Sequence, residues 1–406
     1  MVADRVARLA RGTSWVLAVA ILGCQAAPTS PISSSAASST PTATAATVTP
    51  AAARPSPTPT AGLSTPPPSG SPVGGIYSAT ITGVVSPALA DIPPRVWVPN
   101  ERGGKVVVID PATFEIVDRL EVGAYPEHVT PSWNGQVLYV NNMNSDSMSI
   151  IDPRSGTITG EVRVPAPYNL YFTPDGTRAI VVADMLRGAP EDENGLRFYS
   201  YPAFEELAFV PVPWAGADHL DFSADGRRLF LSCEYSARVV VVDVESMEIE
   251  KTIVVGGFPT DVRLSPDGTR VFVANQLEHG LTVIDAGSGD IVDFVKLAKG
   301  SHGLALSRDA RALYVTNRIA GSVSVIDVET FAVLATWSIG GSPDMIAVSA
   351  DGSQLWISNR WDRTVVVLDS ADGRIIRTIE TGAYPHGLAF WPLPGRFSLG
   401  HNGNMR

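Results

Sequence analysis

LYVTNRIAGSVSVIDVETFAVLATWSIGG, residues 313–341, reads as three strands. Residues 313–316 are β-forming and close on Asn317. Residues 322–326 alternate polar and apolar side chains, and 332–339 make a third run after Asp327-Val328-Glu329-Thr330. A fourth run, 345–348, follows Pro343 and enters Ser349-Ala350-Asp351-Gly352, with Ser and Gly where a type I turn takes them. LWISN at 355 then begins the pattern again.

The unit recurs from Val96, Leu138, Ala179, Leu229, Val271, Leu313 and Leu355, at spacings of 42, 41, 50, 42, 42 and 42 residues, and the seventh copy ends at Arg396. No copy holds a run at helical spacing long enough for two helices. A period near forty with four short strands therefore predicts an all-β fold, a seven-bladed β-propeller with four-stranded antiparallel blades. The first unit lacks an inner strand, and residues 386–390 are expected to supply it and close the ring without an open edge. Two runs overhang the repeat. Residues 76–85 alternate like a strand, and 397–401 (FSLGH) read as the first strand of a further unit.

Ahead of the repeats, Arg5, Arg8 and Arg11 precede an apolar run from Trp15 to Leu22 that is too short to span a bilayer and has the charge order of an export signal. It ends Ile21-Leu22-Gly23-Cys24, which resembles the bacterial lipobox; the expectation is a signal peptide over 1–24 with Cys24 diacylated. Only Cys233 then remains, so no intramolecular disulfide is available. Residues 25–74 are mostly Ala, Thr, Ser, Pro and Gly with hardly a large apolar side chain, and are expected to be a disordered tether of roughly 40 Å span at about 5–6 Å times the square root of its length. Residues 75–406 form the propeller. The expected setting is the cell envelope, with a monomer lipid-anchored to the outer face of a bacterial membrane. A net charge of −11, from 41 acidic against 30 basic residues and no basic stripe on any blade, argues against nucleic acid as a partner.

Residues 96–396, with LYVTN at 313, SVSVID at 322, TPDGTR at 173 and SPDGTR at 265, resemble the YVTN-type β-propeller repeats of bacterial and archaeal exported and surface proteins. The resemblance implies the fold. It implies little about activity, since that family includes surface-layer components, uncharacterised exported proteins and at least one nucleic-acid binder. Seven-bladed lactonases and haem-d1-binding propellers are more remotely similar, but the chain has no Cys-x-x-Cys-His and no lactonase site transfers residue by residue.

What recurs in every unit is architecture. Asn134, Asp175, Asp225, Asp267 and Asp351 before Gly read as turn chemistry, and Asn100, Asn142, Asn275, Asn317 and Asn359, closing the second strands, are expected to bond loop backbone. What varies is a binding candidate. The loops carrying Pro-x-x and those after Asn share one face of the disk. Aligned on the proline or its equivalent, the next two positions read Glu127-His128, Tyr168-Asn169, Asp218-His219, Thr260-Asp261, His302-Gly303, Asp344-Met345 and His386-Gly387, which places four of six histidines there. Tyr125, Trp214, Phe258, Tyr384 and Trp361 surround them, with Arg102, Glu234, Arg318 and Arg360 after the second strands.

Polar groups and aromatics converging on a concave mouth suit a small molecule, glycan or protein partner. The candidate ligand-binding set is Arg102, Glu127, His128, Tyr168, Asp218, His219, Glu234, Asp261, His302, Arg318, Asp344, Arg360, Trp361 and His386. No cofactor is expected. A metal ion on His128, His219, His302 and His386 is the weaker reading, because two of these follow the proline at one remove and two at the next, and strand alternation would turn them to opposite sides. A mouth-face hydrolase using a pair such as Asp218 and His386 is the other alternative, without a Gly-x-Ser-x-Gly motif to support it. The extra residues of the third unit, within 185–194 (MLRGAPEDEN), are read as a loop rising from the mouth, with Glu191, Asp192 and Glu193 either gating entry or simply solvated.

Overall fold

The computed structural model describes residues 75–81, 83–184 and 194–406; Cys24, the tether and residues 185–193 of the third-unit insertion fall outside it. The described residues form seven four-stranded antiparallel sheets, one per repeat, as the period predicts. In blade 7 the strands are Pro343–Val348, Gln354–Asn359, Thr364–Asp369 and Ile375–Glu380, from the channel outward. The inner and middle strands are buried on both faces, which is why they read as near-continuous apolar runs; the outermost strand alternates and is largely exposed.

Blades hold together by packing against neighbours. Trp356 of blade 7 is fully buried and meets Phe114 and Phe390 of blade 1, ring centres 5.8 and 6.4 Å apart. Blade 1 is composite: Ala389–Trp391 pairs with Arg95–Asn100, followed by Lys105–Ile109 and Ile116–Glu121, so the expected closure is present. The inner hairpins use the expected turn chemistry. In SPDGTR, Ser265 donates to Asp267 at 2.5 Å, and Asp267 accepts the Thr269 amide at 3.0 Å.

Both overhanging runs depart from expectation. Residues 76–81 form turns rather than a strand, and they lie under the disk at its Asp-Gly face, where the Tyr77 hydroxyl donates to the Leu264 carbonyl at 3.3 Å. Residues 397–406 do not start an eighth sheet. They fold back into the central channel as a plug, bridging Tyr171 through Gly400 and Ser398 to Met405. The reason is in their side chains. Gly400 approaches the Leu170 carbonyl where any β-carbon would overlap it, and Arg406 donates to Asp221 at 2.9 Å and to the Phe222 carbonyl at 2.7 Å, a charge-assisted anchor that a solvated strand would not make.

Candidate functional site

The site is built from the first turn of each inner strand. In blades 2 to 7 a one-residue bulge follows the first residue of that strand: Pro126 faces Asn142, but Val129 faces Val140. The bulge breaks the alternation expected of the Pro-x-x residues, so both can project into the channel. Blade 1 has the same offset, Pro385 facing Asn100 and Ala389 facing Trp97, so His128, His219 and His386 converge, with His128 ring-to-ring 5.2 Å from His219 and 4.8 Å from His386; the expectation that strand alternation would separate them is corrected. Gly387 completes the fit, since a β-carbon there would overlap the His128 ring.

Around His386 lie Asp344 Oδ2 at 3.1 Å, Glu101 Oε1 at 3.5 Å and Glu127 Oε2 at 3.7 Å, with the Tyr168 hydroxyl 3.5 Å from its Nε2. Asp344 stands between two histidines, its other oxygen 3.2 Å from His302 Nδ1. His302 thus joins the site through a carboxylate rather than through the histidine cluster. Asp218 Oδ1 is 3.0 Å from His219 Nδ1. Asp261 is tied to the fold, taking the Leu304 amide at 2.8 Å and so linking blades 5 and 6, with His401 Nε2 at 3.6 Å.

All these groups are buried, whereas the sequence led us to expect an open mouth. Two guanidiniums roof the channel. Arg318 is paired with Asp344, and Arg360 with Glu101, with His386 Nδ1 at 2.9 Å and with the far oxygen of Asp344 at 3.6 Å. Arginine suits this position because its fork spans two acceptors at once. Burial works against ionisation of Asp344, but Arg318 foremost, with His302 and Arg360, holds its carboxyl below the usual range. Burial pushes His302 down to about 3 and His401 to about 4, and pushes His128 well below its ordinary value, so these imidazoles are neutral at pH 7. Burial likewise raises the thiol of Cys233 to about 12, which makes it an inert core residue.

The residues following the second strands divide in two. The first after each strand turns inward: Glu101, Glu234, Arg318 and Arg360 occupy this position. Glu101, not Arg102, is the inward residue of blade 1, an error of one position that the repeat alignment itself could have exposed. Arg102 is exposed and covers the Tyr384 ring at 4.1 Å. Glu234 is buried, its amide bonded to the Gly216 carbonyl at 2.7 Å. The second residue turns outward, and on blades 4 to 7 it is Tyr235, Leu277, Ile319 and Trp361, exposed by 40, 56, 54 and 57%. Arg318 lies 5.6 Å from the Trp361 ring. His401 and Asn402, brought up from below by the plug, were not anticipated at all; Asn402 Oδ1 is 2.9 Å from His128 Nδ1.

Fold and site together define a seven-bladed propeller with a closed, charged channel and an apolar arc on its rim. A sequence model described as YNCE-like beta-propeller matches residues 77–189 and 290–394, more than half of the chain, and the chain belongs to that family. No curated protein matches it in sequence. Among solved structures it is similar to Kuenenia stuttgartiensis hydrazine synthase (20% identity, TM-score 0.61, covering 70% of this chain and 94% of that one). It is also similar to the Pseudomonas aeruginosa periplasmic gluconolactonase (18%, 0.62, 74% and 99%) and to a functionally unknown protein from Desulfotomaculum acetoxidans (16%, 0.65, 74% and 99%). At these identities the likeness concerns the fold.

Proposed function

We propose that the protein is an exported, lipid-anchored binding module that docks a protein partner across its mouth, with apolar side chains on the arc of blades 4 to 7 and a carboxylate toward the outer edges of Arg318 and Arg360. The observation that carries this reading is the arc itself. Four consecutive blades present a large apolar side chain at the same loop position, where blades 1 and 2 carry Arg102 and Asn144. Scattered exposed apolar residues need no explanation, but one loop position kept apolar on four neighbouring blades beside buried charge has the composition of a binding patch.

The test replaces Tyr235, Leu277, Ile319 and Trp361 together by Ser, beside a control with Val117, Val254, Val292 and Val333 of the outer strands replaced by Ser. Partner cross-linking in the native envelope should be lost with the first and kept with the second. Equal cross-linking by both variants overturns the reading.

A second reading, hydrolysis of a sugar lactone, is favoured by the setting of His386, an imidazole held among three carboxylates as a general base would be. The likeness to a periplasmic gluconolactonase supplies the substrate class to try. Turnover abolished by His386→Ala would establish it; no turnover by the wild type would remove it.

A further inference from the structure

We propose that His128, His219 and His401 bind a single late first-row transition ion, zinc or copper, in the middle of the channel. This goes beyond the docking surface above, which lies on the rim and uses none of these residues. Blade 2 supplies His128, blade 4 supplies His219 and the plug supplies His401, and each can offer a ring nitrogen within 4.8 Å of the other two.

Geometry is the first argument. A tetrahedral ion with imidazole nitrogens at about 2.0–2.1 Å holds the ring centres about 5 Å from one another. The three pairs here are separated by 5.2 Å (His128–His219), 5.2 Å (His128–His401) and 4.6 Å (His219–His401). The rings are also mutually tilted, by 80°, 51° and 72°, as ligands converging on one point must be.

The second argument concerns the outer contacts. Ligating histidines characteristically turn their other nitrogen to a carboxylate or amide oxygen, which fixes the tautomer. His128 does so by a hydrogen bond, Nδ1 to Asn402 Oδ1 at 2.9 Å, and the other two have a carboxylate close by on that side, Asp218 at 3.0 Å from His219 Nδ1 and Asp261 at 3.6 Å from His401 Nε2. An Nδ1–H on His128 leaves its Nε2 with a lone pair, and that atom is wholly buried without a hydrogen-bond partner. Burying an acceptor unmatched costs free energy, and a metal ion is the partner that fits an imidazole lone pair. At His401 the ion would displace the Asn169 amide, which now donates to Nδ1 at 2.9 Å. The neighbouring trio of Glu101, Glu127 and His386 is the poorer candidate, because the Arg360 guanidinium already lies against Glu101 and His386.

The experiment uses the full chain, stripped with a chelator and reloaded separately with Zn(II), Cu(II), Mg(II) or Ca(II), then desalted and assayed for bound metal and melting temperature. One Zn(II) or Cu(II) per chain is expected, with a raised melting temperature, and no retention of Mg(II) or Ca(II). His401→Gln should weaken binding by more than about 100-fold and Asp218→Asn by about 10–100-fold, the range for an outer-shell partner. His302→Gln and Trp361→Ala should leave the stoichiometry unchanged, the first separating this site from the buried Asp344 cluster and the second separating it from the rim. A wild type that retains no ion, or a folded His401→Gln that retains one as tightly, overturns the proposal. If His401→Gln does not fold, X-ray absorption of the zinc-loaded wild type decides: three imidazoles support the assignment and any other count refutes it.

Discussion

Trp361 is more than half exposed and packs only loosely over Arg318, so its replacement separates binding from folding. Trp361→Ala should change stability by no more than about 0.5 kcal/mol, as exposed substitutions do, while weakening partner retention; differential scanning calorimetry and a binding titration read the two effects. Gly387→Ala is its opposite. The added methyl meets the His128 ring in a closed channel and should cost about 1–3 kcal/mol, visible as a lower melting temperature. His302 sets a pH dependence. Burial, reinforced by Arg318, lowers its pKa to about 3, against about 6.5 in the unfolded chain. Between those values the unfolded state binds the proton and the folded state does not, so stability is full above pH ~6.5 and falls as pH drops toward 3. His128 and His401 act in the same direction, and Asp344, its carboxyl held low, adds a loss below pH ~4. Melting temperature should therefore decline from pH 7 to pH 4, less steeply in His302→Gln; a flat profile would contradict the buried neutral imidazoles. Sequence reasoning found these residues by column but not their burial. The missing step is the reach of Arg318 and Arg360 across the channel, which no spacing encodes.

The elements were legible to within a residue or two because a strand buried on both faces has to be apolar throughout, and seven copies average away the exceptions. The inner strands were the harder case. Their bulges add one residue where Pro-x-x stands, and only pairing with the neighbouring strand shows it. The plug was illegible for a different reason: FSLGH alternates as a strand does, and its burial depends on a channel that exists only once seven blades have closed. Two truncations tell closure from plugging. Ending the chain after Gly382 removes Ala389–Trp391 and should abolish cooperative unfolding. Ending it after Pro394 keeps the closing strand but takes away Leu399, Met405 and the Arg406 partner of Asp221. That variant should still melt cooperatively, at a stability lower by about 2–5 kcal/mol, the cost of removing a large buried apolar side chain such as Leu399, while Asp221 keeps the Phe222 and Leu264 amides. Denaturation followed by tryptophan fluorescence distinguishes the outcomes.

For the whole molecule, the anchoring reading rests on residues ahead of the propeller. Cys24→Ser should release the protein from membranes, since an acyl chain contributes about 0.8 kcal/mol per buried methylene and nothing in 25–74 is apolar enough to replace it. Fractionation after a high-salt wash measures this; a variant that still sediments with membranes would exclude the lipid anchor. The architecture also has a consequence in time. Trp97 pairs with Ala389, 292 positions later, so at about 5–20 residues per second the first blade waits roughly 15–60 s for its inner strand. Through that interval Arg95–Asn100 offers an unpaired edge, and the nascent chain is an aggregation hazard with most of its blades already made. On the proposed export route the same edge stands open on the far side of the membrane, from the emergence of Arg95–Asn100 until Ala389 follows it out, so the speed of threading sets how long the ring stays unclosed.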